Sequence, residues 1–191
     1  SGSFPILGPN HYLVVGSASF APSYNEHAWA ALMIGSDTIW SKIFAEGSRF
    51  NAMVRTQSGH AILAGYTSTS LGTTDGIVVC LNLATGMVVW SKVFGTNQNE
   101  MFECIVEWPD ESLRLVGTRA SGSNRQWMIT KLASDGTLVW AKQQPALTAT
   151  QLVNSALVVG DSLVVCGTQR TESSSSSKTP VIRIFDDAGN E

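Results

Sequence analysis

The chain has 191 residues and a formal net charge of −3, and only 14% of its residues are charged. Its 12 lysines and arginines are scattered along the sequence, whereas nucleic-acid-binding proteins gather basic residues in a patch or stripe, so nucleic acid is excluded as a partner. No apolar run reaches the roughly eighteen residues of a membrane-spanning helix. The low charge and the 17 glycines favour short strands and tight turns over long helices.

The first quarter of the sequence predicts four antiparallel strands. Short apolar runs separated by turn-forming residues lie at 4–7, 11–16, 28–34 and 37–44. Gly35-Ser36 precedes the last run and is a dipeptide that tolerates the positive φ of a hairpin turn. The last run carries Trp40.

The same order of strands returns about every fifty residues. In the second repeat the apolar runs lie at 50–56, 60–66, 77–83 and 87–94. In the third they lie at 102–108, 113–118, 126–133 and 137–142, and in the fourth at 153–159, 163–168 and 181–186. We therefore predict one domain over residues 1–191, with blade repeats of approximately 4–46, 50–96, 102–144 and 153–191.

These repeats predict an all-β fold, a β-propeller of about four four-stranded blades whose last blade lacks its outer strand. A unit of this size cannot bury both of its faces alone, and a ring of stacked blades is the usual solution. One tryptophan in each complete repeat is expected to lie between neighbouring blades, with its N–H bonded to a carbonyl: Trp40, Trp90 and Trp140. A glycine closes each predicted second strand and indicates a bulge or a close backbone approach: Gly16, Gly65, Gly117 and Gly167.

The sequence leaves three ways to close the ring. Four blades could form a small ring, the chain could be part of a longer propeller, or a second chain could complete a larger ring. An open arc would expose sheet faces and an unpaired strand edge, which promote association.

One stretch carries a family resemblance. The sequence CLNLATGMVVW is similar to the tryptophan-docking motif of quinoprotein-type propellers, A-x-D-x-x-T-G-x-x-x-W. Thr85, Gly86 and Trp90 match that motif, whereas Cys80 and Asn82 replace its Ala and Asp. The surrounding residues also resemble uncharacterised bacterial repeats. The resemblance implies a propeller, and such propellers include dehydrogenases and outer-membrane assembly scaffolds.

The enzyme hypothesis rests on this resemblance. Quinone-dependent members use a bound quinone, a calcium ion and an aspartate base. Here the adjacent acidic pair Asp186-Asp187 lies at a predicted turn, and the chain has no vicinal cysteine pair and no Cys/His metal-ligand spacing. We therefore predict a non-catalytic protein without cofactor or metal. The alternative is a quinoprotein-like or other propeller enzyme whose active site is not identifiable from this chain.

The candidate binding surface is formed by the loops between second and third strands. These loops, at 17–27, 67–76, 119–125 and 169–179, vary while the strands repeat, and binding residues often lie on loops over a rigid scaffold. Aromatic and basic side chains there are the candidates: Phe20, Tyr24, Tyr66, Arg119, Arg125 and Arg170. The predicted function is a scaffold that binds a protein or a glycan, with self-association completing the ring as one form of partner.

Three cysteines lie within apolar runs: Cys80, Cys104 and Cys166. They are expected to be small core residues, with one disulfide plus a free thiol as the alternative. The compartment is not fixed by the sequence, although the low charge and the bacterial resemblance favour export over the cytoplasm.

Overall fold

The computed structural model describes residues 3–5, 10–21, 25–70, 72–121, 124–144, 149–171 and 178–191. These residues form β-strands and turns, and they contain no helix that could cross a membrane. Sheet 1 consists of β1 (Ser3–Pro5), β2 (His11–Ser19), β3 (Glu26–Ile34) and β4 (Asp37–Glu46). Sheet 2 consists of β5 (Ser48–Arg55), β6 (His60–Ser68), β7 (Thr74–Asn82) and β8 (Val88–Phe94). Sheet 3 consists of β9 (Glu100–Glu107), β10 (Leu113–Ser121), β11 (Asn124–Leu132) and β12 (Leu138–Gln143). Sheet 4 consists of β13 (Ala149–Val159), β14 (Ser162–Thr171) and β15 (Thr179–Phe185).

Each sheet is an antiparallel meander in which the strands are paired in chain order. The middle strands of sheet 2, β6 and β7, are apolar along most of their length because both of their faces are buried. The outer strands β8 and β12 have mostly exposed side chains and one half-buried tryptophan each. The all-β propeller architecture predicted from the sequence is confirmed.

Apolar clusters fill the spaces between successive sheets. One joins sheets 1 and 2 around Leu13 and Leu63, the next joins sheets 2 and 3 around Val78 and Phe102, and the third joins sheets 3 and 4. The main packing contacts between sheets link first to second, second to third and third to fourth. Among the described residues, no pair of strands from sheets 1 and 4 packs in this way.

Each outer-strand tryptophan lies against the hairpin-turn glycine of the next sheet. Trp40 faces Gly86, Trp90 faces Gly136, and Trp140 faces Gly189; in every pair a Cβ on the glycine would come within 3 Å of the ring. All three glycines have positive φ, between 68° and 81°. The indole Nε1 of Trp40 also donates a hydrogen bond to the carbonyl oxygen of Leu83, at 3.0 Å.

The second-strand glycines face a bulged inner strand. A Cβ on Gly65 would stand 1.9 Å from the carbonyl oxygen of Arg49, and Gly117 and Gly167 meet inner-strand carbonyl oxygens at 2.0 Å. The inner strand has a register shift at each of these places. Gly16 differs, since nothing lies within 4 Å of its Cβ position.

The prediction that these glycines close the second strands is wrong. Strands β2, β6, β10 and β14 continue for three or four residues beyond the glycine and pair with the third strand there. The polar residues beyond the glycine suggested a loop, but they alternate between the two sides of a strand that projects past the core.

The three cysteines are free thiols. Cys80 and Cys104 are buried, and burial raises the pKa of these thiols to about 11 and about 12 respectively. Cys80 and Cys104 are therefore core residues that remain protonated near neutral pH. Cys166 is only half-buried, so the expectation of a core residue is wrong there.

Candidate functional site

The hairpins between second and third strands are shorter than predicted. The second strands end at Ser19, Ser68, Ser121 and Thr171, and the third strands begin at Glu26, Thr74, Asn124 and Thr179. Of the candidate residues, Tyr66, Arg119, Arg125 and Arg170 therefore lie on strands, and Phe20 lies directly after one. Tyr24 lies outside the described residues. We call this side of the molecule the loop end.

Between sheets 1 and 2 the loop end holds a charge-balanced cluster. The hydroxyl of Tyr66 donates a hydrogen bond to Glu26 at 2.9 Å, and Arg49 pairs with the same carboxylate at 3.5 Å. Partial burial, together with the hydrogen bond and charge of Glu26, raises the pKa of Tyr66. Phe20 packs edge-on against His27.

Arg119 also has its charge balanced within its own sheet. Its guanidinium lies 3.1 Å from the buried carboxylate of Glu100 and donates hydrogen bonds to Gln143 and Thr96. Thr96 in turn donates to Glu100 from both its hydroxyl and its backbone N–H. This network makes Arg119 a structural residue of sheet 3.

Between sheets 3 and 4 the loop end holds a cavity of about 220 Å³. Its lining, which we call the cationic pocket, consists of Arg125, Thr150, Leu152, Thr168, Arg170 and Lys178. The structure thus brings together two predicted binding residues, Arg125 and Arg170, and adds Lys178. None of these three cations forms an ion pair with a carboxylate of the described residues.

A cavity lies between β2 and the inner strands β5, β9 and β13. Its volume is about 250 Å³, and it is lined by residues of all four sheets, including Val15, Met53, Ile105 and Ser155. Glu103 lies on inner strand β9. Burial raises its pKa, while the positive charges of Arg125 and Arg49 act in the opposite direction.

A further cavity, of about 310 Å³, lies between sheets 2 and 3 at the other end. His60, Glu107, Glu111 and Asp135 line it beside the ring of Trp90. Glu107 accepts the backbone N–H of Gln57, with distances of 2.9 and 3.2 Å to its two oxygens, and so holds a turn in place. The described residues contain no cluster of three or more His, Cys, Asp or Glu able to hold a metal ion.

The acidic pair considered for catalysis has structural partners. Asp187 pairs with Arg114 and, at 2.9 Å, with Lys131. Asp186 accepts the backbone N–H of Asn190 at 2.8 Å. Arg114, missed by the sequence analysis, is 1% exposed and stacks over Trp108 at 4.6 Å. Its alternation with Leu113 and Leu115 gave no signal of burial, because it places Arg114 on the opposite side of the strand.

Comparison with known proteins bears on the fold alone. No family model matches the sequence, and no curated protein matches it. A crystal structure of xylan β-1,4-xylosidase from Bacillus halodurans C-125 superposes with a TM-score of 0.57 and 10% identity, over 94% of this chain and 40% of the xylosidase. The chain has a β-propeller fold.

The propeller described here spans less than half of the length of that xylosidase. A protein of unknown function from Bacteroides caccae is 13% identical over 94% of this chain and 74% of its own, with a TM-score of 0.34. At these identities the likeness carries no activity over to this chain.

Proposed function

We propose that this propeller is a non-catalytic scaffold that binds a protein partner, and that the partner is a second copy of the chain. The observation that carries the proposal is the exposed apolar face of sheet 4. We call this the free face; it is formed by Leu157, Val164, Cys166, Ile182 and Ile184, which share one side of the sheet by strand pairing.

The other sheets show what covers such a face. Ile182 pairs with Cys166, the residue before the second-strand glycine Gly167. In sheets 1 to 3 the third-strand residues that pair with the residue before that glycine are Ala30, Val78 and Ile129. Those three residues are 0% exposed because the next sheet packs on them, whereas Ile182 is 70% exposed and Ile184 is 56% exposed. The free face is therefore an inter-sheet surface without its neighbour among the described residues.

Sheet 1 offers the complementary surface. Its side facing away from sheet 2, which we call the leading face, consists of Tyr12, Val14, Trp29, Ala31 and Met33. The residues at the Val14 position in sheets 2 to 4, Leu63, Leu115 and Val165, are fully buried against the preceding sheet. Val14 itself is only half-buried.

The leading face of one copy can thus dock on the free face of another as sheet 2 docks on sheet 1. Each buried aliphatic side chain contributes about 1.5–3 kcal/mol relative to leaving it in water. This head-to-tail contact uses two different surfaces, so it closes into a ring or grows into a chain according to its rotation.

The test is the mass of the purified chain in solution across a hundred-fold dilution. We expect concentration-dependent association in the wild type and loss of association in Ile182→Asp. Val139→Asp is the matched control, because Val139 is as exposed as Ile184 but lies on an outer strand. A wild type that stays monomeric at all concentrations contradicts the proposal.

Mixing two blocked variants separates this head-to-tail contact from a two-fold symmetric one. Ile182→Asp blocks the free face and Val14→Asp blocks the leading face, with folding of each checked by circular dichroism. Neither variant should associate alone. The mixture should form a one-to-one dimer, because each partner still has one intact surface; no dimer in the mixture contradicts the head-to-tail geometry.

A further inference from the structure

We propose that the cationic pocket between sheets 3 and 4 is a binding site for an oxyanion, the carboxylate, sulfate or phosphate group of a small polar ligand. Thr168 lies two residues beyond Cys166 on the same side of β14, so the pocket continues the free face towards the loop end. The proposal concerns the single chain and does not require the sheet-to-sheet contact. Its lining combines three positive side chains with the hydroxyls of Thr150 and Thr168.

The lining residues come from different parts of the fold. Arg125 reaches in from β11 of sheet 3, while Thr168 and Arg170 stand on one side of β14. Thr150 pairs with Arg170 on the inner strand. Lys178 directly precedes β15. Because two sheets and three strands hold these groups, the arrangement is built into the fold.

The equivalent position between sheets 1 and 2 shows which groups can lie together at this point of the fold. Counted from the pairs Gly16–Trp29 and Gly117–Met128, Glu26 and Arg125 occupy equivalent positions. Tyr66 and Thr168 each follow the second-strand glycine of their sheets.

In the first case the Glu26 carboxylate is held by a hydroxyl and a guanidinium, those of Tyr66 and Arg49. In the second case Arg125 replaces the carboxylate, and Leu152 replaces Arg49 as the inner-strand partner of the residue after the glycine. A hydroxyl remains, three positive side chains line the cavity, and no carboxylate of the described residues lines it.

Arg125, Arg170 and Lys178 are exposed, so water screens their mutual repulsion, and an oxyanion between them would be attracted by all three. Hydrogen bonds from guanidinium or ammonium groups to an oxyanion are charge-assisted and about twice as strong as neutral ones. Arg125 and Arg170 can each present two parallel donors to an oxyanion. Arg125 donates to the Met101 sulfur at 3.5 Å, a weak acceptor that an oxyanion would readily replace.

The size of the cavity favours a small ligand over a long polyanion. Among the described residues, Glu103 is an acidic side chain that interacts with Arg125, whose positive charge lowers the pKa of Glu103 against the effect of burial. Arg125 can therefore bind a second anion beside Glu103, whereas the negative charge of Glu103 would repel a densely charged polymer. We therefore expect a single anionic group on an otherwise polar molecule, such as an acidic sugar.

The experiment is titration of the full chain, at a concentration where it is monomeric, with galacturonate, sulfate and inorganic phosphate, with uncharged galactose as the control ligand. We expect saturable binding of at least one anion and none of galactose. Arg170→Gln and Lys178→Gln should each weaken binding about tenfold. Lys92→Gln, an exposed lysine on outer strand β8, should leave it unchanged.

The pattern of ligands identifies the source of the oxyanion. Preference for galacturonate indicates an acidic sugar, whereas equal binding of the three anions indicates a site that reads the charged group alone; both support the proposal. Absence of saturable binding to all three anions overturns it. Binding that is equally strong in Arg170→Gln and Lys178→Gln also overturns it, because the anion then lies elsewhere.

Discussion

The indole ring of Trp40 lies directly over Gly86 of the neighbouring sheet. A Cβ at Gly86 would stand 2.7 Å from Cδ2 of Trp40, and the indole N–H is bonded to the carbonyl of Leu83 three residues earlier. The ring therefore covers one wall of the turn while its polar atom satisfies the backbone of that turn. The pairs Trp90–Gly136 and Trp140–Gly189 repeat the packing of ring on glycine.

Removing a tryptophan from this position should loosen the boundary between two sheets. We expect Trp90→Ala to lower the free energy of unfolding by about 3 kcal/mol, as for other large-to-small aromatic changes. Val89→Ala is the control, because the Val89 side chain is exposed on the same strand. Thermal unfolding of the two variants measures the difference. An unchanged melting temperature for Trp90→Ala would show that this ring does not hold the sheets together.

Gly86 is constrained twice, by its backbone and by the ring above it. Its φ is 68°, and Gly59, in another turn, has a φ of 83° but open space at its Cβ position. Gly59→Ala should therefore lower the free energy of unfolding only by the cost of positive φ, about 1–2 kcal/mol. Gly86→Ala should lower it by about 1–3 kcal/mol more, because the added methyl group displaces Trp40. Equal melting temperatures for the two variants would contradict the stacked geometry.

Gly65 and Gly16 hold equivalent positions in sheets 2 and 1, but only Gly65 faces a carbonyl at close range. Gly65→Ala would force the inner strand at Arg49 away from β6, and we expect the free energy of unfolding to fall by about 1–3 kcal/mol. Gly16→Ala has open space and should stay within about 1 kcal/mol of the wild type. Chemical denaturation of both variants tests this contrast. A similar loss in both would mean that the bulge opposite Gly65 does not constrain this position.

Much of the architecture could be predicted because it depends on local sequence patterns that repeat along the chain. Apolar runs of strand length, turn glycines and one tryptophan per repeat indicate sheets of a fixed size, and these signals depend on neighbours in the sequence. The lengths of the strands beyond the second-strand glycines could not be predicted. Residues such as Thr67 and Gln169 are polar because they project past the core, and polarity alone does not separate a projecting strand from a loop.

The candidate site could be predicted only as a collection of residues. The sequence indicated Arg125 and Arg170 but did not show that they share a cavity while Arg119 is neutralised by Glu100. The difference between Arg119 and the two pocket arginines depends on which strands of neighbouring sheets lie opposite each other. Likewise, the burial of Arg114 depends on Asp187, which lies 73 residues away in the chain.

The partly buried carboxyl group of Glu103 should make stability depend on pH. Burial raises its pKa in the folded state above the ordinary value of 4.5. Between the unfolded-state and folded-state pKa, the folded state binds more protons than the unfolded state, so stability falls as pH rises. Glu103→Gln removes this loss. We expect its melting temperature to match the wild type near pH 4 and to exceed it by roughly 1–3 °C at pH 7.

The control for this experiment is Glu46→Gln, which changes an exposed carboxylate on β4. Its melting temperature should follow the wild type across the pH range. If Glu103→Gln lowers the melting temperature at pH 7, the charged form of Glu103 is stabilised by Arg125 and Arg49 more strongly than it is destabilised by burial.

Because the main packing between sheets joins only neighbours in the chain, backbone amides should exchange with deuterium in a gradient along the molecule. Sheets 2 and 3 are held from both sides and sheets 1 and 4 from one, as in repeat proteins whose stability is a sum of nearest-neighbour terms. We expect the slowest exchange in β6, β7 and β10 and faster exchange in β14 and β15, measured by mass spectrometry in dilute solution. The molecule would then open from its ends, one sheet at a time, while its central pair of sheets stays closed.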